Sequence, residues 1–163
     1  MVPGTFRLAC IFLYNAVSFI PRYSLLPAIT TEGIIYSHVK SGGYNGDEFL
    51  EWLTGLLPIM NPYPAPRSVL ILDNCRIHHV PGVEEMCAER GVKLLYLPPY
   101  SPDLNPIEEC FSFIKHWIRR HGQEFRNILE MGDEAEPYLF LYNALDHVTA
   151  DASRGWFRHS GYL

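Results

Sequence analysis

Two acidic residues stand where a sheet-edge site would need them. Asp73 directly follows the run Ser68-Val69-Leu70-Ile71-Leu72, and Glu108 sits within Asn105-Pro106-Ile107-Glu108-Glu109. A short continuous apolar run marks a strand buried on both faces. Asp73 therefore stands at the C-terminal end of a central strand, the edge at which open α/β sheets bind ligands. A plainer reading is that a strand-end Asp caps the next turn, and on this segment alone both readings stand. For Glu108 the neighbours decide. A helix that begins here, with Asn105 as cap and Pro106 in its first turn, places Ile107, Phe111, Ile114 and Ile118 on one apolar stripe. Glu108 then lies about 100° round from Ile107, at the border of that stripe, and Glu109 about 200° round, toward solvent. There Glu109 complements the helix macrodipole. A ligand at the sheet edge requires the border position, which selects Glu108. Two carboxylates meeting at one edge suit a hard divalent cation such as Mg²⁺, which takes oxygen ligands and keeps several waters. Paired ions of this kind activate water or a 3′-hydroxyl against a phosphodiester.

Both acids depend on the elements around them. Residues 22–30 (RYSLLPAIT) and 34–40 (IIYSHVK) read as two strands joined at Thr31-Glu32-Gly33. Pro27 cannot donate to a ladder, so the first of these strands is expected at an edge or with a bulge. After a glycine-rich loop, Asn45 or Asp47 caps a helix running to about Met60, with Phe49, Leu50, Trp52, Leu53, Leu56 and Leu57 on its apolar side. The prolines of residues 61–66 end it. Beyond the Asp73 strand, a helix over residues 80–90, stopped by Gly91, leads to a second buried strand over residues 93–97. A proline-rich loop, residues 98–105, then delivers the Glu108 helix, which runs to about His121. Residues 125–163 read as one or two more helices with a turn near Gly155. Strands alternating with helices give an α/β fold around a mixed sheet.

The chain has 163 residues, 48% of them hydrophobic, enough for one domain with a sizeable core. Its longest apolar stretch, residues 8–20, is interrupted by Asn15 and Ser18 and is too short to span a bilayer. With Arg7 as the only basic residue before it, the stretch is not read as a signal peptide. Four cysteines without a CxxC pair read as thiols of a reducing compartment. A net charge of −5 argues against a strong non-specific nucleic-acid binder. It leaves room for an enzyme that holds DNA through metal ions. Lys115, His116, Arg119, Arg120, His121 and Arg126 cluster ahead of an acidic run at residues 130–136, and a solvated helix face accounts for them.

The stretches LILDNCRIHH and LPPYSPDLNPIEECF resemble the second and third acidic motifs of mariner-type transposases of the DDE superfamily. Between Asp73 and Glu108 lie 34 residues, 74 to 107, a spacing typical of one branch of that family. RYSLLPAIT, GIIYSHV and GYNGDEFLEWL are similar to the hairpin and first helix of the same domain in transposase-derived proteins. The resemblance covers residues 22–163, with residues 1–21 an atypical segment and residues 125–163 a helical tail. It implies a ribonuclease H-like mixed sheet flanked by helices, with the first strand missing or atypical. It also implies Mg²⁺ or Mn²⁺ as cofactor, with Asp73 and Glu108 as metal-binding catalytic acids. Asn74 and His78 fall in the same motif, as outer partners of the site or DNA contacts, though a packed histidine is an equal reading for His78. Tyr100, Ser101, Pro102, Asp103 and Asn105 shape the loop that presents Glu108. The implied partners are DNA at transposon ends and a second copy of the chain, with no membrane and a nuclear location.

The resemblance breaks at one point. The family's first Asp belongs on a strand before the hairpin, yet residues 1–31 hold no Asp or Glu. Glu32 falls in the hairpin turn and Asp47 at a helix start. A strand formed from residues 6–20 brings Asn15 or Ser18 instead of a carboxylate, and the N-terminal helix-turn-helix domains of such enzymes are not in the sequence. A truncated or degraded element, or a gene model that starts late, is the parsimonious account. The chain is thus expected to be a fragment of a metal-dependent transposase or endonuclease with little strand-transfer activity. The alternative is a non-catalytic, transposase-derived module for protein or nucleic-acid contact. An unrelated α/β hydrolase or phosphatase fits poorly, since no second acid follows Leu72-Asp73-Asn74 and no GxSxG motif occurs.

Overall fold

A computed structural model describes the backbone at residues 8–11 and 14–15 and the complete residues 23–163. Its centre is β5, Val69–Leu72, whose four residues are all buried. Val69 and Ile71 join one core cluster and Leu70 and Leu72 the other, so an unbroken apolar run is what this strand needs. On one side β5 pairs in parallel with β1, Leu8–Ile11, and on the other with β6, Lys93–Tyr96, also in parallel.

The hairpin is β3, Tyr23–Thr30, and β4, Gly33–Ser41, antiparallel across the turn Thr31–Glu32. Gly33 opens β4 at φ 107°, a left-handed conformation that disfavours a side chain. Ahead of this hairpin the sequence leaves the first strand missing or atypical, and the structure supplies the pairing. Two short strands, β1 and β2 (Tyr14–Asn15), lie along the free edge of β3. The pairs Cys10↔Ile29, Ile11↔Ala28, Tyr14↔Leu25 and Asn15↔Ser24 share one register. β3 is therefore an interior strand and not an edge. The β3–β4 register shifts between Ala28 and Ile29, one residue beyond Pro27, the bulge that is the other expectation.

Helices cover both faces. On one face α1, Gly46–Leu56, is capped by Asn45, whose side chain accepts from the Glu48 N–H while the Glu48 carboxylate accepts from the Asn45 N–H. It buries Phe49, Trp52, Leu53 and Leu56 against Leu26, Ala28, Leu70 and Leu72. The same layer holds α2, Val83–Glu89, preceded by a short 3₁₀ turn, Arg76–His79. The opposite face is covered by α3, Pro106–Arg120, α5, Glu136–Asp146, and α6, Ala150–His159, with α4, Gly122–Met131, linking α3 to α5. The tail thus holds two complete helices beyond α4, and Gly155 lies inside α6 and not at a turn. The chain reverses at Gly132, φ 73°, and again before Thr149, which caps α6. A second correction concerns β6. Read as buried, it pairs among the described residues with β5 alone, and its alternation leaves Leu95 41% exposed. One neighbour instead of two explains the loss of burial.

Candidate active site

The C-terminal ends of β5 and β6 open on one side of the sheet, and both acids singled out above gather there. Asp73 follows Leu72, and the chain leaving β6 is tied back by a hydrogen bond from the Leu97 N–H to the Leu72 carbonyl, 2.8 Å. The loop then passes through Tyr100, which has φ 58° and projects fully into solvent, and a 3₁₀ turn, Pro102–Leu104, before α3 begins. Asp73, Asn74, Cys75, Pro98, Pro99, Tyr100, Ser101, Pro102, Asn105 and Glu108 line a single open cleft of about 400 Å³.

Asp73 is held from two directions. Its Oδ1 accepts from the Cys75 N–H at 2.9 Å, the turn-capping role expected of a strand-end Asp. The same oxygen lies 2.7 Å from Nδ1 of His78, whose ring is wholly buried. The two readings of Asp73 are therefore compatible: one carboxylate oxygen anchors the turn, and the residue still faces the cleft. His78 packs against Phe49 of α1, ring centroids 4.8 Å apart, and its carbonyl accepts from the Tyr96 hydroxyl at 2.8 Å. Its Nε2 is buried without a hydrogen-bond partner among the described residues. Asn74 points elsewhere: its Oδ1 is 2.6 Å from Nε2 of His79, which stacks on Tyr96.

Glu108 occupies the first turn of α3, its N–H donating to the Asn105 carbonyl at 3.1 Å. Ile107 beside it is fully buried, so the helix cannot rotate and Glu108 stays exposed at the cleft. Glu109, expected to meet only solvent, faces α6 instead, with His159 Nδ1 3.2 Å away. Asn105 departs more sharply from expectation. It precedes α3 but its side chain makes no capping bond. The residue is only 4% exposed, and its Oδ1 is buried with no hydrogen-bond partner among the described residues. Asp103 belongs to the 3₁₀ turn and does not line the cleft, while Ser101 donates to the Pro99 carbonyl.

Sequence reasoning missed the braces on this loop. The Tyr162 hydroxyl donates to the Leu104 carbonyl at 2.8 Å, so the last residues of the chain steady the approach to Glu108. No local signal marks a contact made across 58 positions.

The donor set is hard. Two carboxylates on one open cleft, with Asn105 among its lining residues, suit a divalent cation that keeps part of its water shell. Among the described residues no group of three or more His, Cys, Asp or Glu is placed to hold a metal ion. The neighbouring strand β1 runs Leu8-Ala9-Cys10-Ile11, without a carboxylate, and of the two positions expected to replace one, Asn15 lies in β2 and Ser18 outside the described residues. The set therefore fits one such ion and falls short of the acids that two would share.

Residues 16–131 match the family described as DDE superfamily endonuclease. An uncharacterized protein of Sinorhizobium fredii is 36% identical over 52 residues, which is 31% of this chain and 36% of that protein, so the chain spans little more than a third of this relative. Among solved structures, the catalytic domain of the Mos1 mariner transposase superposes with a TM-score of 0.57 at 16% identity, over 96% of this chain and 83% of that one. The HTLV-2 integrase catalytic core domain, in complex with magnesium and in dimeric form, gives 0.58 at 12% identity, covering 89% and 85%. A chain of the simian T-cell lymphotropic virus intasome gives 0.65 at 13% identity, over 85% of this chain and 46% of that one. At these identities the likeness is one of fold, a ribonuclease H-like sheet of the integrase and transposase type.

Proposed function

The chain belongs to the DDE superfamily endonuclease family, and from that premise we propose that its cleft holds one divalent cation, Mg²⁺ or Mn²⁺, against the phosphodiester backbone of DNA. The observation that carries this reading is that Asp73 and Glu108, 35 positions apart in sequence, line one cleft at the ends of β5 and β6. Asp73 supplies one carboxylate, its orientation set by His78 and the Cys75 N–H; Glu108 supplies the second from a helix end locked by Ile107. A bound divalent ion offers Lewis-acid polarisation of a phosphoryl oxygen and a more acidic water. The chain's own groups supply charge and position to the cleft. Tyr100 and the three prolines around it shape the rim over which a nucleic-acid strand would pass.

The same geometry limits the activity. Strand transfer draws on a third carboxylate beside Asp73, and β1 offers none. Little or no strand transfer is expected of this chain. A second reading follows from that observation: a transposase-derived fold retained for contact with protein or nucleic acid, with a weak cation site as a remnant. Nuclear location and action at transposon ends rest on family membership alone.

Calorimetric titration with Mn²⁺, paired with a plasmid-nicking and strand-transfer assay, tests the proposal. It expects Mn²⁺ binding that weakens in Asp73→Asn and again in Glu108→Gln, with negligible strand transfer. Binding indifferent to Glu108→Gln, or no binding, favours the contact module. Robust Mn²⁺-dependent cleavage that disappears in Asp73→Ala overturns the expected inactivity.

A further inference from the structure

Asn105 breaks a local rule at the position where the cleft most needs order. Asparagine is among the best helix-capping residues, and here it stands directly before α3 without capping it. The residue is 4% exposed and lines the same cleft as Asp73 and Glu108. Its Oδ1 is buried and finds no donor among the described residues. A buried acceptor without a donor is costly, and native folds keep few of them without a reason. Departures from local consistency that persist in a fold concentrate at functional sites.

The missing partner is a hydrogen-bond donor, or a cation. His78 Nδ1 and the Cys75 N–H already serve Asp73, so neither supplies it. A hydrated divalent ion would, because each of its waters presents strongly polarised O–H groups. Resting on the cation reading of the cleft, we propose that the Asn105 side-chain oxygen is the third anchor of the site, accepting a hydrogen bond from a water of the bound ion's shell. Asn105 is thus a positioning residue. It offers a neutral oxygen in a cleft whose carboxylates number two, and its main-chain carbonyl receives the Glu108 N–H, so one residue sets both the helix end and the ion's water. The terminal torsion of an Asn side chain is broad, so its amide can turn to present the oxygen to the cleft.

The test is Mn²⁺ affinity by calorimetry in the full chain, with thermal unfolding of each metal-free variant beside it. Asn105→Leu keeps the branched shape, in a somewhat larger side chain, and removes the acceptor. It should lower Mn²⁺ affinity about tenfold or more, as loss of an outer-shell partner does, while leaving the unfolding temperature unchanged or higher. Asn105→Asp should tighten Mn²⁺ binding, since it adds a charge where the amide stood. A structural role predicts the reverse pattern: Asn105→Leu lowers the unfolding temperature and leaves Mn²⁺ affinity as it was. That pattern, with wild-type binding still sensitive to Asp73→Asn, overturns this inference alone. Absence of Mn²⁺ binding in both the wild type and Asn105→Asp overturns it together with the cation reading.

Discussion

Nδ1 of the fully buried His78 lies 2.7 Å from Oδ1 of Asp73, a carboxylate one-third exposed at the mouth of the cleft. The pair joins the two layers that a working site requires. The imidazole packs on Phe49 of α1, the main-chain carbonyl of His78 accepts from the Tyr96 hydroxyl, and the carboxylate of Asp73 faces outward. Since the acceptor is a carboxylate, Nδ1 carries the proton in this contact.

His78→Leu should therefore act on the cation more than on the fold. A hydrogen bond to a charged group is worth about 1.5–3 kcal/mol, and Asp73 can recover part of that from water. Mn²⁺ affinity should drop roughly 10- to 100-fold, the usual range for losing a partner that orients a metal ligand. Calorimetry alongside urea unfolding separates the two effects. Unchanged affinity would reduce His78 to a packing residue.

Much of this architecture is legible from residue types. The β3–β4 hairpin, the start of α1 at one of its two candidate caps, Asn45, the doubly buried β5 and the apolar stripe of α3 follow from periodicity and turn chemistry, because each is settled by neighbours a few positions apart. The convergence of Asp73 and Glu108 on one edge is legible for the same reason: each stands at the end of an element whose burial is readable. Long-range features were not. The placement of β1 and β2 against β3 depends on pairing across the sheet. The exposure of Leu95 depends on β6 having a single neighbour. Gly155 misled because a glycine within a packed, capped helix reads locally like a turn. The Glu109–His159 and Leu104–Tyr162 contacts span 50 and 58 positions, and no local pattern announces them.

Gly33→Ala should destabilise the hairpin and loosen its seat on the helical layer. The residue has φ 107°, and an added Cβ would approach the Val148 carbonyl oxygen at 3.1 Å. Side chains in this region cost about 1–3 kcal/mol. A comparable fall in the free energy of urea unfolding is expected, with Mn²⁺ affinity little changed. A neutral result would show that the turn relaxes without strain.

The buried thiols give a pH signature. Burial pushes Cys87 up to about 11 from the usual 9.0, and Cys110 is raised further for the same reason. A folded thiol that keeps its proton while the unfolded chain loses it contributes stability that is whole below pH 9.0 and declines from there to about 11. Unfolding free energy should fall across that window, and less steeply in Cys87→Ala. In native protein near pH 8, iodoacetamide should modify the exposed Cys75 and spare Cys87 and Cys110, as read by peptide mass spectrometry. Equal slopes in the two proteins, or rapid modification of Cys87, would contradict the burial.

Paramagnetic broadening by Mn²⁺ in the ¹⁵N–¹H spectrum of the wild-type chain tests the central claim most directly. The account predicts that the amides of Asn74, Cys75, Ser101, Asn105 and Glu108 fade first, and that Asp73→Asn removes this pattern. Broadening centred on the acidic segment at residues 130–136, or a cleft pattern that persists in Asp73→Asn, would contradict it.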